Sequence, residues 1–264
     1  MSEVVLKTVE EGVALITLNR PERLNAWTAE MGHAYFDALE ECDASTQVRA
    51  IVVTGAGRGF CAGADMQELK ALGDGDLEAV SVVPDDRPQT FPLSISKPIV
   101  AAVNGACAGL GLVHALMCDI RFAAADAKLT TAFSRRGLVA EHGISWILPR
   151  LVGPARALDL LLSGRVVLGE EAATLGLVNR AVEPEKLLEQ TLAYARELAV
   201  NSSPASMATM KRQVYADLTR ELPDALEEAN RLMGESFTAP DFVEGVASFM
   251  ERREPRFAPL GDSA

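Results

Sequence analysis

Two short stretches of this chain hold residue types able to grip an anion with backbone groups alone. Val48–Asp65, VRAIVVTGAGRGFCAGAD, carries a β-branched strand into a turn with Gly55, Gly57, Gly59 and Gly63, after which a helix is expected to begin near Asp65. Pro98–Gly111, PIVAAVNGACAGLG, repeats the order of strand, glycine-containing turn and apolar helix. The N–H groups at a helix start have no intrahelical partner and point outward with partial positive charge. The amides of Ala64 and Leu110 both stand at such places, and if they converge on one point they make an oxyanion hole. Taken alone, each turn reads equally well as punctuation, with small residues permitting close packing. The first turn comes near the dinucleotide fingerprint G-x-G-x-x-G, yet Phe60 occupies the place of the third glycine, and no Walker G-K-[ST] occurs. A nucleotide-dependent dehydrogenase is thereby disfavoured.

The elements that must position these turns alternate. Strands are expected at Val13–Leu18, Val48–Thr54, Ile99–Val103, Ile120–Ala124 and Lys128–Ala132. Helices are expected at Thr28–Cys42, after the second glycine turn, and at Pro154–Leu162, where Ala157, Leu158, Leu161 and Leu162 recur at helical spacing. Such alternation is the mark of an α/β protein. Between Met66 and Ser96 a polar stretch containing GDGD (Gly73–Asp76) and PDDRP (Pro84–Pro88) reads as mobile rather than packed, either a lid over the turns or a solvated surface loop.

From Asn201 the pattern is helical only. Ser203 before Pro204 is a helix start with Met207, Met210, Val214 and Leu218 as its stripe, and Thr238 with Asp241 reads as a cap for a last helix bearing Phe242, Val246, Phe249 and Met250. Short amphipathic helices cannot bury their faces alone, so they must pack on the main domain or on neighbouring subunits. The expected division is a core over residues 1–200 and a helical oligomerisation segment over 201–264.

Composition narrows the partners. The chain has 264 residues, 48% hydrophobic, and 37 acidic against 25 basic residues give a net charge of -12, which disfavours a nucleic-acid partner. Cys42, Cys61, Cys107 and Cys118 form no C-x-x-C pair and sit in apolar stretches, as free thiols in a reducing compartment do. Three scattered histidines offer no metal-ligand spacing. Pro98–Cys118 lacks any charged residue over nearly a bilayer-spanning length, but its glycines, Asn104 and His114 divide it into strand, turn and buried helix, so no membrane span is expected. The amino-terminal MSEVVLKTVEEG has no apolar signal core, and a cytoplasmic location is expected.

Five ordered motifs carry a resemblance. NRPERLNAW (Asn19–Trp27), the FCAGAD turn, KPIVAAVNGACAGLG, LPRLVGPARALDLLLSGR (Leu148–Arg165) and EAATLGLVNRAV (Glu171–Val182) together resemble the enoyl-CoA hydratase/isomerase (crotonase) family over nearly the whole chain. The resemblance implies a ClpP/crotonase-like spiral of ββα turns, a carboxy-terminal helical trimerisation domain and a homotrimer or hexamer of two trimers. It further implies an acyl-CoA thioester as substrate, with coenzyme A part of that substrate and no separate cofactor or metal. By resemblance the Ala64 and Leu110 amides hold the thioester carbonyl, Leu110 replacing a glycine common in relatives. CoA is expected along Arg23, Leu24, Ala26, Ala62, Asp65 and Met66. With a net charge of -12 the cations for its phosphates must be gathered locally, and Arg20, Arg23, Arg252, Arg253 and Arg256 are candidates, the last three in a terminal segment that in the family often covers the CoA of a neighbouring subunit. Glu254 stands where relatives often carry a basic residue.

The resemblance also bears on the reaction. Hydratases of the family carry one Glu just after the second turn and another further along, and the matching positions here are Val113 and Phe133, neither able to transfer a proton. Glu141, in GLVAEHG, falls where isomerases of the family, including ring-expanding phenylacetyl-CoA epoxide isomerases, carry Glu or Asp. One acid suffices to move a proton between the alpha and gamma carbons, and it should be partly withdrawn from water beside Phe133 or Trp146. Its structural alternative is a surface ion pair with Arg135 or Arg136. Family dehalogenases also need a histidine before the second turn, and none lies between His33 and His114. His142 should face away from Glu141, as neighbours on an extended loop do, and His114 should be a buried, hydrogen-bonded helix residue. The competing readings are a hydratase of fatty-acid degradation with a non-standard acid and base, and a weakly catalytic acyl-CoA binder.

Overall fold

The computed structural model describes residues 3–73 and 87–260. In chain order the elements are β1 (Val5–Glu10), β2 (Val13–Leu18), α1 (Ala29–Ala44), β3 (Ala50–Gly55), β4 (Gly59–Cys61), α2 (Met66–Gly73), β5 (Ile99–Val103) and β6 (Ala106–Ala108). There follow α3 (Leu110–Leu116), β7 (Ile120–Ala124), β8 (Lys128–Thr130), α4 (Ile144–Val152), α5 (Pro154–Ser163), β9 (Val167–Leu168), α6 (Gly169–Leu175) and β10 (Arg180–Val182). The chain closes on α7 (Leu187–Asn201), α8 (Pro204–Asp217), α9 (Leu222–Ser236) and α10 (Pro240–Glu251).

Two sheets organise the core. One has the order β1-β2-β3-β5-β7-β10 and the other β4-β6-β8-β9. β2, β3, β5, β7 and β10 run parallel, and every residue of β3 and β5 is buried, as strands covered on both faces must be. β3, β5 and β7 lie in the first sheet, and the strands that follow them, β4, β6 and β8, pair in the second. This is the expected spiral of ββα turns, with α2 after β4 and α3 after β6. β4 and β6 lie inside what the sequence presents as glycine turns. Made of Gly, Ala, Phe and Cys, they have little strand signal of their own and exist because each pairs with the other. Their closeness needs glycine at 111, where a Cβ would lie 2.1 Å from the Cys61 carbonyl oxygen.

Thr28 caps α1 by accepting from the Met31 amide (3.3 Å), and Met31, Tyr35, Phe36, Leu39 and Cys42 are buried at helical spacing. The apolar Pro98–Cys118 stretch divides into β5, β6 and α3, and among the described residues no helix is long and apolar enough to cross a membrane. All four cysteines are buried and free.

Part of the Met66–Ser96 stretch departs from the mobile loop expected. Residues 66–73 form α2, and beyond it Gln89 and Ile95 are buried around a 3-10 turn at Phe91–Ser94. Most of GDGD, and PDDRP as far as Asp86, lie outside the described residues.

Among the described residues three helices follow Asn201. Ser203 caps α8 by accepting from the Ser206 amide (3.1 Å), and Asp119 holds that helix to the core through Lys211 (2.8 Å) and the Tyr215 hydroxyl (2.9 Å). The expected cap at Thr238 and Asp241 does not form. The residue before α10 is Ala239; the Thr238 hydroxyl donates to the Glu235 carbonyl, and Asp241 accepts from the Ser203 hydroxyl instead. Asp241 therefore ties α10 to the start of α8. The outer side of these helices is apolar and open, with Phe249 82% exposed and Met250 75%.

Candidate active site

The two glycine turns meet face to face. The Trp27 backbone amide donates to the Gly63 carbonyl (2.8 Å) and the Asp65 backbone amide to the Trp27 carbonyl (2.9 Å), so the chain at 63–65 is held like a strand while the Ala64 amide has no partner among the described residues. On the other side Leu110 opens α3, and its amide is likewise without a partner among the described residues. Gly63 brings the two together. Its φ of +100° is a left-handed conformation, and a Cβ there would lie 2.9 Å from the Ala108 carbonyl oxygen and 3.8 Å from the Leu110 nitrogen.

Two buried or half-buried asparagines stiffen the first turn. The Asn25 side-chain amide donates to the Gly59 and Ala56 carbonyls (2.7 and 3.0 Å), and its oxygen accepts from the Arg20 amide (2.8 Å). Asn104 donates to the Gly55 and Gly57 carbonyls (2.9 Å each) and accepts from the Gly55 amide (3.2 Å). Every glycine carbonyl fixed this way reduces the freedom of the amide that follows it.

The amides open onto a cleft of about 660 Å³. Arg23, Ala26, Ala62 and Ala64 line it from the first turn, continuing to Asp65 and Met66. Leu110 and Glu141 line the opposite side, with Phe133, Leu138 and Arg136. Leu24 is placed differently. It does not line the cleft, and its carbonyl accepts from the Ala62 amide (3.0 Å), supporting the wall from behind. Asp65 is already engaged, with Arg20 at 3.1 Å and the Gln67 amide at 3.0 Å. Desolvation pushes its carboxyl upward, but those two partners outweigh it and hold the pKa below the usual range.

At the position of the first hydratase acid Val113 is wholly buried, and at the second Phe133 is 5% exposed and forms apolar cleft wall. Glu141 keeps a carboxylate at the cleft, its side chain 32% exposed. It does not pair with Arg135 or Arg136, which donate to the Ser163 and Ala132 carbonyls. Its ionisable neighbour is His142, with Nε2 3.7 Å from Oε2.

That neighbour is a correction to the sequence reading. Residues 141–144 form a tight turn closed by the Ile144 amide donating to the Glu141 carbonyl (3.0 Å), with φ of +54° at His142 and +81° at Gly143. Two successive positive φ values make it a type I′ turn, in which alternation fails and both side chains enter the cleft. The signal was the glycine after His142. His114 also differs from expectation. It is buried, stacked on Trp27 with centroids 3.7 Å apart, and neither ring nitrogen has a hydrogen-bond partner among the described residues; burial pushes its pKa down to about 3, so it is neutral.

Comparison with known proteins decides the family. The sequence profile of enoyl-CoA hydratase/isomerase matches residues 8–259. The chain belongs to the enoyl-CoA hydratase/isomerase family. A Rhodobacter capsulatus protein named "Probable enoyl-CoA hydratase" is 41% identical over 94% of this chain and 95% of its own. The 1,2-epoxyphenylacetyl-CoA isomerase of Escherichia coli is 36% identical over 97% and 99%. A crystal structure of enoyl-CoA hydratase from Mycobacterium tuberculosis superposes with a TM-score of 0.89 at 32% identity, covering 97% of this chain and 99% of that one. This hydratase/isomerase therefore has the crotonase fold and is an acyl-CoA enzyme.

Three of the arginines expected at CoA, Arg252, Arg253 and Arg256, lie elsewhere within the chain, around the end of α10. Arg253 bonds Glu244 and Glu251 (2.6 Å each), the Arg256 amide donates to Glu244 (2.6 Å), and neither residue lines this cleft. The hydrogen bonds from Arg253 and Arg256 hold the Glu244 pKa down at about 2.

Proposed function

We propose that the enzyme is an isomerase of enoyl-CoA thioesters that works with one carboxylate. Supporting this is one observation above others: of the two acidic side chains that line the cleft among the described residues, Asp65 is spent on Arg20 and Gln67, while Glu141 has no cation but a histidine beside it. In this reading the thioester oxygen sits between the Ala64 and Leu110 amides, an oxyanion hole that stabilises negative charge as it develops, each donor typically contributing about 2.7–4 kcal/mol. Glu141 removes the alpha proton, the electron pair moves onto the thioester oxygen and conjugates with the neighbouring double bond, and Glu141 returns the proton at the gamma carbon. Its base catalysis is of order 10²–10⁴-fold.

CoA would lie along Arg23, Ala26, Ala62 and Met66, with Leu24 and Asp65 shaping that wall. Arg253 and Arg256 could reach CoA only in a neighbouring subunit, which fits a trimer or a hexamer of two trimers assembled through the open apolar side of α8–α10. The proton shift needs no cofactor beyond the CoA that the substrate brings. Hydration is the competing reading, because several relatives are named hydratases; it lacks a second acid to share in holding a water.

Conversion of a 3-enoyl-CoA to the 2-enoyl-CoA, run beside hydration of crotonyl-CoA, separates the two. Glu141→Gln is expected to keep acyl-CoA affinity and to lose isomerase turnover by roughly 10²-fold or more. Turnover equal to the parent's would end the single-acid mechanism.

A further inference from the structure

Glu141 and His142 are consecutive in the chain, and both line the cleft. The backbone arranges this at a cost. His142 has a φ of +54°, a conformation that glycine or asparagine adopts more easily than a bulky residue. The turn is also held in place: a Cβ on Gly143 would lie 3.1 Å from the Thr90 methyl and 3.5 Å from the Met117 methyl, so those groups pack directly beneath it. Non-glycine residues kept in such conformations gather at functional sites. The His142 side chain is 19% exposed and makes no hydrogen bond within the described residues, while its Nε2 stands 3.7 Å from Glu141 Oε2. Such a separation is short enough to close by a small side-chain rotation, and hydrogen bonds in active sites commonly tighten when substrate binds.

We propose that His142 is a positioning residue for the base, its neutral imidazole donating Nε2–H to one oxygen of the Glu141 carboxylate so that the other faces the substrate's alpha carbon. The proposal rests on Glu141 being the base. Proton accounting is simple. The free Glu141 oxygen takes the alpha proton and delivers it to the gamma carbon, the C–H electron pair passes through the dienolate, and His142 keeps its own proton throughout. Burial pushes the His142 pKa below its ordinary value and the Glu141 charge opposes this to a lesser extent, so the imidazole is uncharged at neutral pH.

The test uses the full chain and a 3-enoyl-CoA, with kcat and KM measured for His142→Ala, His142→Gln, His142→Asn, Glu141→Gln and the Glu141→Gln/His142→Ala pair. The alanine variant should lose about 10-fold or more in kcat while KM stays within about twofold, because the contact matters in the transition state and not in binding. Glutamine carries an N–H near the place of Nε2 and should recover kcat to within about threefold of the parent. Asparagine suits the positive φ but is too short to reach, so it should behave as alanine does while preserving the turn and the melting temperature. In the Glu141→Gln background the alanine change should cost less than about twofold, since there is no base left to orient. The proposal falls if the alanine variant keeps the parental kcat, if its loss is wholly in KM, if glutamine is no better than alanine, or if the loss persists undiminished without Glu141. A slow Glu141→Gln beside a normal His142→Ala sinks the positioning role and leaves the base standing. A Glu141→Gln variant as fast as the parent removes both.

Discussion

Replacing Gly63 by alanine tests whether the approach of the two turns is what makes the cradle. The added methyl meets two obstacles. At a φ of +100° an L-residue pays a backbone cost of roughly 1–2 kcal/mol. Its Cβ would also stand 2.9 Å from the Ala108 carbonyl oxygen, a backbone atom that cannot rotate away, so the 62–65 and 108–110 segments must separate by a few tenths of an ångström. The Leu110 amide, 3.8 Å from the same methyl, moves with them. Misaligning one donor of an oxyanion pair by that much approaches losing it, so kcat should fall by about 10²-fold. Gly137→Ala is the matched control, with a φ of +71° and nothing within 4 Å of its Cβ. Both variants should lose several degrees in melting temperature, at about 2–4 °C per kcal/mol for a chain of this size. Only Gly63→Ala should lose turnover on a 3-enoyl-CoA. Equal kcat in the two variants would show that close approach of these turns does not govern the chemistry.

The Asp65 pair predicts a pH dependence. A carboxyl held below its ordinary pKa contributes stability that is full above the unfolded value, about 3.9, and is lost as pH falls through the lower folded value; the gap in urea midpoint between the parent and Asp65→Asn should therefore be present at pH 7 and close as acid is added below pH about 4. A gap unchanged by acid would remove the ion pair as its cause. For the apolar outer side, the parent should sediment as a trimer or hexamer at micromolar concentration, and Phe249→Glu, placed where the ring is 82% exposed, should shift it to smaller species with its far-ultraviolet spectrum intact. A parent that runs as a stable monomer would refute the assembly.

Regular elements were legible where periodicity is strong. β5 and β7 begin and end where the apolar runs do, and Thr28 and Ser203 cap the helices their residue types predict. In the second sheet β8 was legible within Lys128–Ala132, but β4 and β6 were not, because three-residue strands of Gly, Ala, Phe and Cys carry too little local signal and form against their neighbours in the sheet. Thr238 and Asp241 had the spacing of a cap, but the Ser203 hydroxyl, distant in sequence, competes for the carboxylate. In the site, Leu110 was legible as a helix start after glycine, whereas Ala64 is held in a strand-like bridge to Trp27 two residues before α2 begins. His142 was misread because the alternation rule assumes extended backbone, and the glycine at 143 permits a turn with two positive φ values.

A site built this way separates holding charge from moving protons. In the proposed mechanism the amides of Ala64 and Leu110 hold the thioester oxygen whatever side chain they carry, so Leu110 presents a bulky residue at the cleft without removing the donor. What the enzyme does next depends on which wall bears an acid. Hydration by the family's usual route wants a water held between two acids near α3 and β8, and at those positions the chain has Val113, buried away from the cleft, and Phe133, an apolar part of its wall. The remaining wall carries Glu141 and His142 on a turn stiff enough to keep them in register. In the proposed single-acid mechanism Glu141, which takes the alpha proton, is also the group placed to return one at the gamma carbon. The proposed isomerase reading thus rests on where the acid stands: none at Val113 or Phe133, one at Glu141.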